Sequence, residues 1–311
     1  MRGKLLGCPK KRRLVVGCAI ESEEDSQNCL AMAVYAQRGV WRVKWAMHGV
    51  FGGRHDRGFA KRLRARVHRR SFWAPLAGLS SQQNQRVRAV DLGADGRKRS
   101  KSLKGREQRA ALKTQLCQDL PNRGDPMVMV RSEHDDPDGR VHSVGAIAPK
   151  DDIRDEFRIL ARSMGIINPH LGSAAVGLAN TYLALYPEEK RRENPRRIII
   201  LKGQDFTLIC FMDDWRLLDT LVVEMFHGRR MGHSDIRDWE NMIIDYGEKP
   251  EPFVPCLVRA ADIDPEVREG IEVWDPFADS SMETDDDEIR ALIETHIELA
   301  PIAFGMALYG D

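Results

Sequence analysis

Long apolar runs, paired cysteines and aromatic residues are all scarce in this 311-residue sequence, and each scarcity excludes a class of protein. Residues 163–186, within the longest charge-free stretch, are interrupted by Asn168, Pro169, His170 and Asn180, so they cannot form a membrane-spanning helix. Near the start, Lys10, Lys11, Arg12 and Arg13 are followed only by the short apolar segment Leu14 to Ile20 and then by Glu21, Glu23, Glu24 and Asp25. That pattern is no secretory leader, and the expected location is the cytoplasm. Cys8, Cys18, Cys29, Cys117, Cys210 and Cys256 show neither a CxxC pair nor a metal-ligand spacing, which predicts reduced thiols and no zinc site. The remaining composition, 42% hydrophobic and 31% charged, is that of a chain able to bury one large or two medium cores, not of a fibrous or disordered one.

Net charge is also nearly absent, at +1, but the balance is not local. Residues 1–110 hold 26 Lys+Arg against 8 Asp+Glu, a net +18, and residues 151–311 hold 17 against 33, a net −16. The positive charge is concentrated in two runs, Arg54 to Arg70 and Arg97 to Arg109. Clustered Lys and Arg suit an anionic partner such as nucleic acid or acidic lipid. The preferred expectation is nevertheless a solvated basic face, and nucleic acid is the less favoured partner because no stacking aromatics interleave with the runs.

Three Val/Ala-rich segments, Leu14 to Ile20, Cys29 to Ala36 and Val40 to Ala46, predict a strand meander. Phe59, Leu63 and Val67 recur every four residues among arginines, the spacing of a basic amphipathic helix. Two strands are expected within 72–92, a helix on Leu112, Leu116 and Leu120, strands at Met127 to Arg131 and Val141 to Ala148, and a helix on Ile153, Phe157, Leu160 and Met164. A second amphipathic helix is expected from Leu171 through Leu185, with a polar linker after Pro187. A second meander follows from RIIILKG, FTLICFM and RLLDTLVVEM. Beyond it come a helix on Ile236, Trp239 and Ile243, strands at Val254 to Val258 and Ile271 to Trp274, an acidic loop within 275–288, a helix on Ile289, Leu292, Ile293 and Ile297, and a short helix from Pro301. Two meanders, each followed by helices, argue for two α/β lobes.

Four segments carry a resemblance: LKGREQRAALKTQLCQDLPN, VGAIAPKDDIRDEFRILARSMGI, GSAAVGLANTYLALYP with RIIILKGQDFTLICFMDDWRLLDTLVVEM, and GIEVWDPFADSS with APIAFGMALYG. In order and spacing they resemble the PilM-type proteins of type IV pilus assembly, which share the actin-like ATPase fold of the cell-division protein FtsA. The resemblance implies a two-lobed, ribonuclease H-like α/β fold with an inserted α+β subdomain. It implies a first lobe at 1–71, the insert at 72–165, a first-lobe helix and linker at 166–195, and a second lobe with the C-terminal helices at 196–311.

Active members of that superfamily place an Asp-x-Gly turn in each hairpin to hold magnesium and phosphate. In this sequence the second turn reads Leu201-Lys202-Gly203, followed by Gln204, Asp205, Phe206 and Thr207, with leucine in place of the acid. Lys202, Gly203, Asp205 and Thr207 are the candidate remnants of a phosphate turn. The first turn is read at Val15-Val16-Gly17, again without an acid, and the adenosine-backing glycines are absent where Leu257-Val258 runs into Arg259-Ala260-Ala261. Aliphatic side chains supply no oxygen ligand for Mg-ATP. The expectation is therefore no catalysis, no catalytic or metal-binding residue and no cofactor, with ATP and magnesium entering only if the chain is an ATP-binding actin-like ATPase of pilus or type II secretion assembly. His227 with His233, Ser234 with Asp235, and the acids from Asp275 to Glu288 match no ligand or nucleophile spacing and are read as loop residues.

What the resemblance implies is a scaffold, cytoplasmic and peripheral to the inner membrane, that docks the cytoplasmic N-terminal segment of a PilN-type inner-membrane protein. The charge asymmetry, apart from the resemblance, also suits an anionic membrane surface, and self-association is a further candidate. A nucleic-acid-binding protein using the basic half is the rival reading.

Overall fold

The computed structural model describes residues 14–22, 26–37, 40–52, 58–67, 71–79, 86–91, 114, 126–135, 141–149, 171–203, 206–214, 216–224, 253–258, 271–278, 282–284 and 286–308. The helices expected around Leu116, Phe157 and Trp239 lie outside them.

The first meander forms as expected: β1 (Leu14–Ser22), β2 (Ser26–Gln37) and β3 (Val40–Gly52) pair antiparallel in sequence order. Alternation along β1 sends Val15 and Ala19 to one core and Val16, Cys18 and Ile20 to another, so the strand is buried on both faces and reads as a continuous apolar run. Helix α1 (Gly58–Arg66) lays Phe59, Ala60 and Leu63 on the second of these cores. β4 (Ser71–Leu79) runs parallel to β1, and Leu171–Ser173 forms a short strand, β8, parallel to β4. Between β4 and β8 in the chain lie β5 (Arg86–Asp91), β6 (Pro126–Asp135) and β7 (Val141–Pro149), an antiparallel group.

The helix expected from Leu171 starts only at Ala174, since the residues before it are taken into β8. Ser173 caps α2 (Ala174–Leu185), its hydroxyl accepting from the Ala175 amide at 3.2 Å. Nor is the polar segment after Pro187 an irregular linker. Glu188–Glu193 makes a short helix, α3, with acids in its first turn and bases in its last, as the helix dipole favours.

The second meander is β9 (Arg196–Lys202), β10 (Phe206–Asp213) and β11 (Arg216–Glu224). Its tight second connection is made at Asp214, which holds a left-handed φ of 52° that Asp tolerates better than most side chains. β12 (Val254–Val258) and β13 (Glu272–Trp274) extend the sheet in parallel beyond β9. On the other side β11 meets β5, with Asp219 opposite Arg88, so the β5–β7 group continues this sheet and its order is β13-β12-β9-β10-β11-β5-β7-β6.

Within the expected acidic loop, β14 (Met282–Glu283) pairs with β3 and completes the first sheet in the order β14-β3-β2-β1-β4-β8. Helix α4 (Asp287–Thr295) ends before Ile297, and α5 (Ala300–Ala307) is buried over its whole length. Two placements differ from the expected division of the chain. β4 belongs to the first sheet, and the C-terminal β14 and α5 also return to it, so they are not confined to the second lobe.

The main core lies between the sheets. Val15, Ala19, Leu30, Met32 and Val43 of the first face Ile199, Leu201, Leu208, Cys210 and Trp274 of the second across α2 and α5. The two helices cross at glycine: a Cβ added to Gly305 would stand 1.7 Å from the Gly177 carbonyl oxygen. The close approach lets Asn180 donate to the Gly305 carbonyl at 3.2 Å and Thr181 donate to that of Pro301 at 2.5 Å.

Candidate functional site

The second hairpin decides whether a phosphate turn survives. Leu201, where the resemblance puts an acid, is 1% exposed and belongs to the main core with Leu208 and Val258, which pairs with it in register. Lys202 is half-buried, Gly203 is buried, and Thr207 is buried directly opposite Lys202. By strand alternation Lys202 and Thr207 share the face of Ile198, Ile200, Ile209 and Phe211, the outer side of the sheet, away from α2 and α5. The structure thus brings Lys202, Gly203 and Thr207 together but turns both side chains away from the space between the lobes. Asp205 lies outside the described residues. Those described at this turn offer an ammonium, a glycine backbone and one hydroxyl, and no carboxylate, so they do not fit a magnesium ion.

The first hairpin corrects the sequence reading. β1 runs unbroken from Leu14 to Ser22, so Val15-Val16-Gly17 is mid-strand and not a turn. Gly17 is small for a packing reason: a Cβ there would lie 2.0 Å from the Ala303 carbonyl of α5. The connection to β2 falls at 23–25, and the residue approaching it is Glu21, 3% exposed, opposite Asn28, and on the inner face with Val15 and Ala19. This hairpin does carry an acid. Placing β1 by its last apolar residue, Ile20, would have found it.

At the opposite end of β9 lies a polar cluster that periodicity gave no reason to suspect. Arg197, 2% exposed, donates from Nη1 to Glu272 at 2.5 Å, from Nη2 to the Lys190 carbonyl at 3.1 Å and from Nε to the Asn194 carbonyl at 3.2 Å. Its guanidinium lies 4.7 Å from the Tyr186 ring centroid. Tyr186 donates its hydroxyl to the same Glu272 oxygen at 2.7 Å, and Lys190 reaches the other at 3.0 Å. Burial alone would raise the Glu272 pKa, but these three donors outweigh it and hold the carboxyl below its usual range. Burial pushes Tyr186 up, as does its bond to Glu272, and Tyr182 and Trp274 pack beside it. The cluster ties α2, α3, β9 and β13 together. Its one carboxylate is shared by Arg197, Lys190 and the Tyr186 hydroxyl, and such a fully engaged acid suits a clamp better than a reactive centre.

A second polar contact joins the first sheet to the C-terminal region. His48 of β3 stacks on His296 at 3.7 Å with an interplanar angle of 21°. Burial and the neighbouring imidazole lower the His48 pKa to about 4, so it is neutral at pH 7. His296 lies 3.7 Å from Glu298. Cys256 is pushed up to about 12 and Cys210 also upward, both chiefly by burial, as expected of inert reduced thiols. Among the described residues no group of three or more His, Cys, Asp or Glu is placed to hold a metal, and no helix is long and apolar enough to cross a membrane. A shallow depression of about 390 Å³ is lined by Pro187, Glu188, Glu189 and Arg192 at α3, which precedes β9 and so lies at the other end of that strand from the second hairpin turn. His227, His233, Ser234 and Asp235 lie outside the described residues.

No protein-family model matches the chain, and no curated protein matches it either. Solved structures do. A chain of a PilM-PilN type IV pilus biogenesis complex superposes with a TM-score of 0.58 at 12% identity, covering 96% of this chain and 98% of that one. A Bacteroides thetaiotaomicron protein described as having an actin-like ATPase fold and unknown function follows at a TM-score of 0.43 and 11% identity, covering 92% and 98%. The ethanolamine utilization protein EutJ from Carboxydothermus hydrogenoformans follows at 0.35 and 10%, covering 95% and 90%. The first of these likenesses shows that the chain shares its fold with that pilus-complex protein over nearly its whole length.

Proposed function

We propose that this chain is a non-catalytic, cytoplasmic scaffold of the PilM type, peripheral to the inner membrane, that docks the cytoplasmic N-terminal segment of a PilN-type membrane protein. The observation that carries the absence of catalysis is Leu201: the position where the resemblance requires a magnesium-directing acid is packed into the main core. The fold shared with a chain of a PilM-PilN complex supports the partner. An extended peptide added along a groove between subdomains, by backbone pairing and side-chain pockets, is the mode that fits such a tail. In this reading β5–β7 form the inserted subdomain.

Calorimetric titration with Mg-ATP to roughly millimolar nucleotide, the ordinary range of enzyme substrate constants, is expected to give no saturable heat. A synthetic tail peptide of the partner is expected to bind in the same buffer. Saturable Mg-ATP binding would overturn the non-catalytic reading. One observation favours that second reading, an ATP-binding actin-like ATPase: the buried Glu21 at the first hairpin. In that case Glu21→Gln should abolish the nucleotide heat while leaving peptide binding in place.

A further inference from the structure

Helix α1 buries Phe59, Ala60 and Leu63 against the outer face of the first sheet and turns Lys61, Arg62, Arg64 and Arg66 to solvent. None of these four cations has an ion-pair or hydrogen-bond partner among the described residues. The surrounding run from Arg54 to Arg70 contains a single acid, Asp56. Exposed charges are screened beyond about 8–10 Å at ordinary ionic strength, so only acids close to α1 could cancel this charge.

We propose that the exposed face of α1 adsorbs to an anionic phospholipid bilayer, holding the first lobe against the membrane with the acidic half directed away. This rests on the scaffold reading above, which puts the chain at the tail of an inner-membrane protein. Charge complementarity commits the face to this occupant. A bilayer asks only for cations displayed together on one exposed face, and each Lys or Arg near an anionic surface adds to the attraction. The exposed residues, with Ala65 among them, include no aromatic to stack on a base and no Asn or Gln to read one. They include no large apolar anchor either, so adsorption is electrostatic and reversible without insertion.

The test is co-sedimentation of the full chain with phosphatidylcholine vesicles, with and without about one-third phosphatidylglycerol, as salt rises from about 0.05 M to about 0.5 M. Binding is expected only to the anionic vesicles and is expected to be lost at high salt. Arg62→Glu with Arg66→Glu should weaken it at least about tenfold. All four cations are exposed, so these changes should leave the thermal unfolding curve in place, and a melting scan of the variant checks that. Equal binding to neutral vesicles, or undiminished binding by the folded variant, overturns the proposal. If a duplex oligonucleotide at equal phosphate concentration displaces the protein from the vesicles, the face belongs to nucleic acid instead. Tail-peptide affinity, measured without vesicles, reports on the scaffold reading separately: a bound peptide with no vesicle binding sinks only the membrane inference, and vesicle binding without peptide binding sinks only the docking reading.

Discussion

The single residue with most depending on it is Arg197, a fully buried guanidinium whose charge is met by one carboxylate, two carbonyls and a tyrosine ring. Removing the partner while leaving the cation is the costly change. Glu272→Gln is therefore expected to destabilise the fold by about 1–3 kcal/mol in urea unfolding, less than the roughly 3–5 kcal/mol of a fully sequestered pair, because water still reaches part of the Glu272 side chain. Tyr186→Phe, which removes one hydrogen bond, should cost about 1 kcal/mol. His48 makes a prediction in pH. Its folded pKa of about 4 lies below the ordinary 6.5, so as pH falls the unfolded chain takes up the proton first. Stability contributed by neutral His48 should be full above about pH 6.5 and decline towards about pH 4. Melting temperatures of His48→Leu across that window should fall less steeply than those of the wild type, and parallel slopes would show that the stacked pair is not the sensor. Glu272 adds to the acid side in the same direction, since its depressed pKa gives stability above its unfolded value near 4.5 that is lost as its carboxylate is protonated.

At the scale of elements, the crossing of α2 and α5 is set by two glycines. Neither looks exceptional in a sequence with 25 of them. Gly305→Ala would force a methyl group onto the Gly177 backbone, which cannot swing aside as a side-chain tip could. The helices must separate, and the Asn180 and Thr181 hydrogen bonds to α5 lengthen with them. A loss of about 1–3 kcal/mol is expected from urea unfolding, as for other overpacked cores. The strands of both meanders were legible from their apolar runs, because alternation and turn residues act within a few positions. What was not legible is where a helix yields to a strand. Leu171 continues the helical spacing of α2 but pairs with Leu76 of β4 instead, because a distant strand offers its backbone partners that the helix end does not. Met282–Glu283 became a strand for the same reason, beside Trp41.

For the whole molecule, the shared core makes the two sheets one cooperative unit. Phe304 packs edge-on against Trp41 at 6.3 Å and against Phe277 at 5.9 Å, in the middle of a helix that touches the first sheet while sharing its core with the second. Phe304→Ala should cost about 3–5 kcal/mol and shift a single calorimetric transition downward. Two separate transitions would mean that the lobes unfold independently. The candidate site divides along the same line. That Leu201 stands where the resemblance places an acid could be read from the residue order. Glu21 follows the last apolar residue of β1 directly, so its place at the first hairpin depends on where that strand ends, at Ser22 and not at Gly17.

The sequence by itself determined the two meanders, the charge asymmetry and the apolar identity of Leu201, because each is written in neighbouring residues whose period or identity needs no partner. Only the tertiary structure decided that α5 lies between the sheets, that Arg197 meets Glu272, and that Leu171 pairs with β4. These are contacts between positions far apart in the chain, and their energies exist only once the backbone has brought the groups within a few ångströms of one another.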